Sequence, residues 1–129
     1  MIEKSTDATG ASVTVRLDAS GPVGAYAVHL TDESSVGRAE FVDPGTDAER
    51  IFFHTEVDQQ FGGRGLAGLL VRAALADCIR NHRTVVPVCP LFARHLRKHG
   101  DEFVADGGAF RRPIPTDIAL VTRVTRSGA

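Results

Sequence analysis

The sequence has no tryptophan, one tyrosine, one methionine and two cysteines in 129 residues. With aromatics at 6%, it offers no stacking platform for single-stranded nucleic acid. Cys78 and Cys89 cannot supply a disulfide framework, and with the histidines they show no ligand-spaced pair for zinc, so no metal is expected. Neither sign of charge is in excess. Fifteen Lys and Arg against sixteen Asp and Glu give a net charge of −1, which excludes a global drive toward nucleic acid or an anionic membrane. No apolar run approaches the roughly 20 residues of a membrane span, and the opening MIEKSTDATG lacks a signal-peptide core. The expectation is a cytoplasmic protein with free thiols and no nucleic-acid or membrane partner.

What is present suits a globular chain. It is 43% hydrophobic and 24% charged, and at this length roughly two-thirds of the unfolded surface can be buried without a disulfide or metal. A single domain over residues 1–129 is expected, with its core at about 23–104, a polar N-terminal tail and a C-terminal extension.

Residues 1–11 are small and polar and read as a frayed tail. The segments 12–17, 23–30, 36–42 and 50–57 read as strands separated by short polar turns, an antiparallel meander. In the last of them, strict alternation places Ile51, Phe53, Thr55 and Val57 on one face and Phe52, His54 and Glu56 on the other. Leu66, Leu69, Leu70, Ala73 and Ile79 keep helical spacing over 66–79, and Cys78 falls mid-helix as a small core residue. The β-branched run 84–88 reads as a buried parallel strand, although Pro87 cannot donate to a ladder. Pro90 suits a first helical position, so a second helix runs from Pro90 to about His99 with Cys89 at its N-cap. Residues 100–108 form a turn-rich link, 109–116 look extended, and 118–124 read as a last strand or docking arm able to pair across subunits in a homodimer.

Everything converges on residues 51–70, where a strand runs into a glycine-rich turn and then a helix. Glycines let backbone N–H groups approach an anion, and the first helical turn leaves four N–H groups without partners. A pyrophosphate ligand is the natural reading. Gly63-Arg64-Gly65-Leu66-Ala67-Gly68 is a literal G-x-G-x-x-G, but the dinucleotide reading fails on three features. Asp58 to Gly62 intervene between strand and glycines, no carboxylate ends the next strand at 84–89, and antiparallel strands precede the loop.

The other parse, Gln60-Phe61-Gly62-Gly63-Arg64-Gly65, is Q-x-x-G-x-G. It resembles the acetyl-coenzyme A pyrophosphate loop of the GNAT superfamily of N-acetyltransferases. His-Thr-Glu-Val at 54–57, Val-Val-Pro-Val-Cys-Pro at 85–90 and a basic helix running into Lys-His-Gly-Asp-Glu-Phe at 98–103 extend the resemblance to the short single-domain GNAT-like branch. The resemblance covers roughly residues 23–104 and implies an α/β fold: a mixed, mostly antiparallel sheet with a splayed parallel strand pair and flanking helices. It implies acetyl-coenzyme A as cofactor and an amine acceptor, either a small amine or a protein amino group. Backbone at Glu56 and Val57 would face pantetheine, Gln60 opens the loop, and Gly62, Gly63, Arg64, Gly65, Leu66 and Ala67 would wrap the pyrophosphate. Arg64 either adds a charge-assisted contact or points to solvent.

Acetyl transfer needs a base for the amine, polarisation of the thioester and a proton for the leaving thiolate. His54 and Glu56 stand at the right strand end for the first task, and either can serve. The resemblance places a tyrosine near the start of the second helix for the last task, but Phe92 stands there and the chain's one tyrosine is Tyr26. Cys89, with a helix dipole behind it, is the alternative: a nucleophile on a ping-pong route, or a buried filler between the splayed strands. The rival to an enzyme is a coenzyme A-binding sensor or interaction module with little catalysis.

Overall fold

The computed structural model describes residues 1–45 and 48–127. Its elements in order are β1 (Ile2–Thr6), β2 (Ser12–Asp18), β3 (Gly24–His29), β4 (Ser35–Val42), β5 (Glu49–Val57), a 3-10 turn (Gln59–Phe61), α1 (Leu66–Arg80), β6 (Thr84–Pro87), α2 (Pro90–Ala105), β7 (Ala109–Phe110) and α3 (Pro115–Ser127). The strands lie in one sheet in sequence order. The pairs β1–β2 through β4–β5 are antiparallel, while β5–β6 and β6–β7 are parallel. The α/β fold with a mixed, mostly antiparallel sheet is therefore observed, and β7 adds a second parallel pair.

The core lies between the sheet and the helices α1 and α2. Tyr26, Phe41, Phe52 and Phe92 are fully buried and touch in series, ending with Phe52 stacked on Phe92 of α2 at 4.2 Å and 13°. A pair of that kind contributes about 1 kcal/mol beyond its buried area. Polar groups fix the far end of α1. Tyr26 donates to Asp77 at 2.6 Å and accepts from Arg50 at 2.7 Å, and Arg50 makes two 2.9 Å bonds to Asp43. Burial, reinforced by Cys78 and Asp77, pushes the Tyr26 phenol far above its ordinary value. Tyr26 is thus locked in a structural network.

Two end segments differ from the sequence expectation. Residues 2–6 are not frayed but form β1, in full register with β2. The strand has no buried apolar face, so alternation could not announce it. It is held by its ladder and by a tight turn, in which Gly10 N–H donates to Asp7 C=O at 3.0 Å. Residues 118–124 are not a strand or arm but lie inside α3. Pro115 opens that helix, and Asp117 accepts the Ile114 N–H at 2.8 Å, one half of a capping box. Asp117, Leu120, Val121 and Val124 form its less exposed face, at helical spacing. The strand pairing between subunits imagined for this segment is therefore not on offer. Arg111 ties α3 down with four hydrogen bonds of 2.6 to 2.9 Å, two to Glu49 of β5 and two to Asp117. The helix α2 also runs past His99, where it kinks, to Ala105, so the expected link begins only at Asp106.

Candidate functional site

The strand pair β5–β6 is joined only at its lower end. The register runs from Glu49↔Thr84 to Phe52↔Pro87, and Cys89 N–H donates to Phe52 C=O at 2.8 Å. Above that point β6 has ended and α2 has begun, so among the described residues Phe53 to Val57 have no strand partner on this side. Across the strand, Asp58 N–H donates to Val36 C=O at 2.8 Å. Antiparallel alternation then directs the backbone of Glu56 and His54 toward β4, and that of Thr55 and Val57 into the gap. The opening is a backbone edge ready to pair with an extended polar arm. The sequence reading put Glu56 and Val57 on that edge. The observed pair is Thr55 and Val57.

The loop above the gap completes the opening. Gly63 and Gly65 have φ of +80° and +71°, a region where a side chain is strained. Gly65 is the N-cap of α1, and Leu69 N–H donates to its carbonyl at 3.1 Å. The N–H groups of Leu66, Ala67 and Gly68 have no intrahelical partner, and no acidic residue stands in that first turn. Gln60 lies in the exposed 3-10 turn before Gly62. Arg64 is not loose in solvent. Its guanidinium sits 4.9 Å over the Phe61 ring and 3.8 Å from Asp7 Oδ2.

On β5 the strict alternation breaks. Glu40 pairs with His54 but Phe41 pairs with Phe52, so Phe53 is an extra, bulged residue. The bulge shifts the phase. Phe52 shares its face with Thr55 and Val57, whereas His54 and Glu56 share the opposite face with Ile51, correcting the sequence assignment. On that outer face His54 Nε2 is 3.7 Å from Glu56 Oε2, and both side chains are about half exposed. Arg38 of β4 donates to Glu56 Oε1 at 3.1 Å, and Glu40 completes the group. Ligand atoms from Glu40, His54 and Glu56, one from each, lie within 4.8 Å of one another, and Arg38 is the cation beside them, 3.1 Å from Glu56 and 3.9 Å from Glu40. Arg38 and Glu40 were not legible as neighbours of His54 and Glu56, since only the register brings them alongside.

Cys89 is buried at the apex of the gap, with Sγ 3.4 Å from Thr55 Oγ1. It faces the inner side of β5 and not His54 or Glu56. It is the N-cap of α2, followed by Pro90 as expected. Phe92, where the resemblance would place a tyrosine hydroxyl, is sealed in the core against Phe52.

A groove of about 240 Å³ between α1 and α2 continues from the loop. Ala67, Gly68 and Val71 line one wall, and Leu91, Arg94, His95, Lys98 and His99 the other. The His95 and His99 rings are 4.9 Å apart. Burial first, then the neighbouring His99 and Arg72, hold the His95 pKa below its ordinary value. The sequence reading named none of these basic residues as site residues. Their spacing at 94, 95 and 98 was the signal that they share the face toward α1.

A family model described as GCN5-related N-acetyl-transferase matches residues 25–106. Among solved structures, one similar chain is the ribosomal-protein-alanine N-acetyltransferase from Brucella melitensis biovar Abortus 2308, at 17% identity and a TM-score of 0.35. The alignment covers 77% of this chain and 57% of that one, so this chain spans little more than half the length of its neighbour. No curated protein matches the sequence significantly. No helix among the described residues is long and apolar enough to cross a membrane.

Proposed function

The chain belongs to the GCN5-related N-acetyltransferase family, and on that footing we propose that it transfers an acetyl group from acetyl-coenzyme A to an amine, either a small molecule or a protein amino group. One observation carries the reading: the parting of β5 from β6 above Phe52, which leaves the backbone of Thr55 and Val57 unpaired directly below a loop of positive-φ glycines. That edge suits the amide-bearing pantetheine arm. Gly62 to Ala67 suit the diphosphate, through N–H groups rather than side-chain charge. Arg94, His95 and Lys98 extend the cofactor surface beyond the residues read from the sequence, toward the phosphorylated adenosine end.

When bound, the thioester supplies an activated acyl group. The residues of the chain then have three tasks. His54 or Glu56 removes a proton from the incoming amine on the outer face of β5. Backbone N–H groups along the free edge of β5 polarise the carbonyl. On a ping-pong route Cys89 gives up its proton and attacks the thioester carbon, the bond to coenzyme A sulfur breaks, and coenzyme A leaves as the thiol carrying that proton. The amine then takes the acyl group from acetyl-Cys89, whose sulfur leaves with the proton the amine gives up.

The sealed Phe92 favours a second reading, a coenzyme A-binding module of low activity. The test is to titrate the protein with acetyl-coenzyme A and measure thiol release against a panel of amines. Acceptor-dependent thiol release supports the enzyme. Binding without release for any acceptor supports the module, and absence of binding removes both.

A further inference from the structure

The N-terminal hairpin reaches the glycine loop. The β1–β2 turn is closed by Gly10 N–H to Asp7 C=O, which puts Ala8 second in a four-residue turn. An N–H at that position has no partner within the turn, and here it donates to Arg64 C=O at 2.8 Å. The contact is close: a Cβ on Gly65 would sit 3.4 Å from Ala8 Cβ.

Asp7 holds the turn in shape. Its Oδ1 accepts from Thr9 N–H at 2.8 Å, Thr9 hydroxyl at 2.6 Å and Ala11 N–H at 3.0 Å. Its Oδ2 is buried without a hydrogen-bond partner, and Arg64 Nη1 stands 3.8 Å away. These donors, the Thr9 hydroxyl foremost, outweigh burial and hold the Asp7 pKa below the ordinary carboxylate value. Asp7 is therefore an anion at neutral pH, and its charge is directed at Arg64.

The geometry follows from one peptide plane. In a planar trans peptide the carbonyl oxygen and the next N–H point in opposite directions. Fixing Arg64 C=O on Ala8 therefore turns Gly65 N–H away from the hairpin. Gly65 has no side chain to hold that plane, and its φ of +71° belongs to a residue with many alternatives. A loop that binds anions through N–H groups loses function if such a plane flips, because a carbonyl oxygen would then face the phosphate.

We infer that Asp7 and Ala8 are positioning residues for diphosphate binding: the hairpin turn clamps the Arg64–Gly65 peptide with its N–H toward the ligand, and the Oδ1 of Asp7 braces that turn. The inference rests on the acetyl-coenzyme A reading above. It assigns a role in the site to a segment outside the family match at residues 25–106.

The test compares Ala8→Pro, Asp7→Ala and Asp7→Asn with the wild type, using calorimetric Kd for acetyl-coenzyme A and thermal melts. Proline is favoured second in such turns, so Ala8→Pro keeps the turn and removes the N–H donor. Ala8→Pro and Asp7→Ala should each raise Kd at least tenfold. Asp7→Asn keeps the Oδ1 acceptor and should stay within threefold, the conservative rescue. A merely structural role would move the melt and the binding together in all three. Folded Ala8→Pro or Asp7→Ala that binds within threefold of wild type overturns the inference. In the wild type, inorganic pyrophosphate should shift the Gly65 amide resonance; an unmoved Gly65 overturns it whether or not the variants fold. A wild type that binds no acetyl-coenzyme A removes the functional reading itself, whereas a binding wild type with indifferent variants removes only the clamp.

Discussion

Cys89 N–H and Phe52 C=O, 2.8 Å apart, form the uppermost link between β5 and β6. The cofactor edge proposed for this protein lies above that bond. Pro87 opposite Phe52 cannot extend the ladder, and Pro90 starts a helix that turns the chain away. The gap is thus written into two prolines and one cysteine.

The thiol at this apex gives a first prediction. Mixing the protein with acetyl-coenzyme A should add one acetyl group by intact-mass spectrometry, and the adduct should vanish in Cys89→Ser. Cys78 should stay unmodified. Burial foremost pushes its pKa up to about 12, so almost none of it is thiolate at neutral pH. A wild type without an adduct removes the ping-pong route.

Gly65 gives the second. Alanine there must adopt a φ of +71° and meet Ala8, for a strain of about 1 kcal/mol and a modest loss of affinity. Aspartate adds a negative charge beside the phosphates and should raise the Kd for acetyl-coenzyme A roughly 100-fold, or about 2.7 kcal/mol. Equal affinity of wild type and Gly65→Asp in calorimetry would place the ligand elsewhere.

The outer face of β5 gives the third. Loss of a general base lowers turnover by roughly 10²-fold or more. Of His54→Ala and Glu56→Gln, the variant that also flattens the acidic limb of the pH–kcat profile marks the base. Arg38→Ala, which frees Glu56 from its 3.1 Å partner, should lower turnover less than loss of the base itself. Two variants with wild-type kcat would move the base off this strand.

Arg111 gives the fourth. Its bonds to Glu49 and Asp117 hold both carboxyl pKa values below their ordinary range. Groups whose folded pKa is depressed stabilise the protein above their unfolded pKa, near pH 4, and that stability fades as pH falls through the folded values. Arg111→Ala should lower stability at pH 7 by about 2 kcal/mol, seen as a Tm lower by roughly 5–10 °C. The difference between variant and wild type should shrink below pH 4. A difference independent of pH would mean that the ion pairs are idle.

The sequence made some elements readable and hid others for physical reasons. The loop was legible because Gln60 to Gly65 combine glycine spacing with a following apolar helix. Pro87 and Cys89-Pro90 marked the end of β6 because proline restricts backbone chemistry locally. The Phe53 bulge was not legible. It arises from the register between β4 and β5, a long-range property, and it decides which side chains share a face with Phe52. The helix α3 was hidden by its β-branched content, although Pro115 and Asp117 carried its start signal. The strand β1 was hidden because its polar side chains have no buried face, although Asp7 and Gly10 are turn residues at the right separation.

The central claim is that acetyl-coenzyme A pairs with the free edge of β5 and rests its diphosphate on the glycine loop. The most direct measurement is a titration followed by backbone amide resonances of the labelled protein. The account predicts saturable shifts at Thr55, Val57 and Gly63 to Gly68, with the amides of β1 residues Ile2–Thr6 little moved. Saturable shifts confined to other surfaces, or none at millimolar ligand, would contradict it.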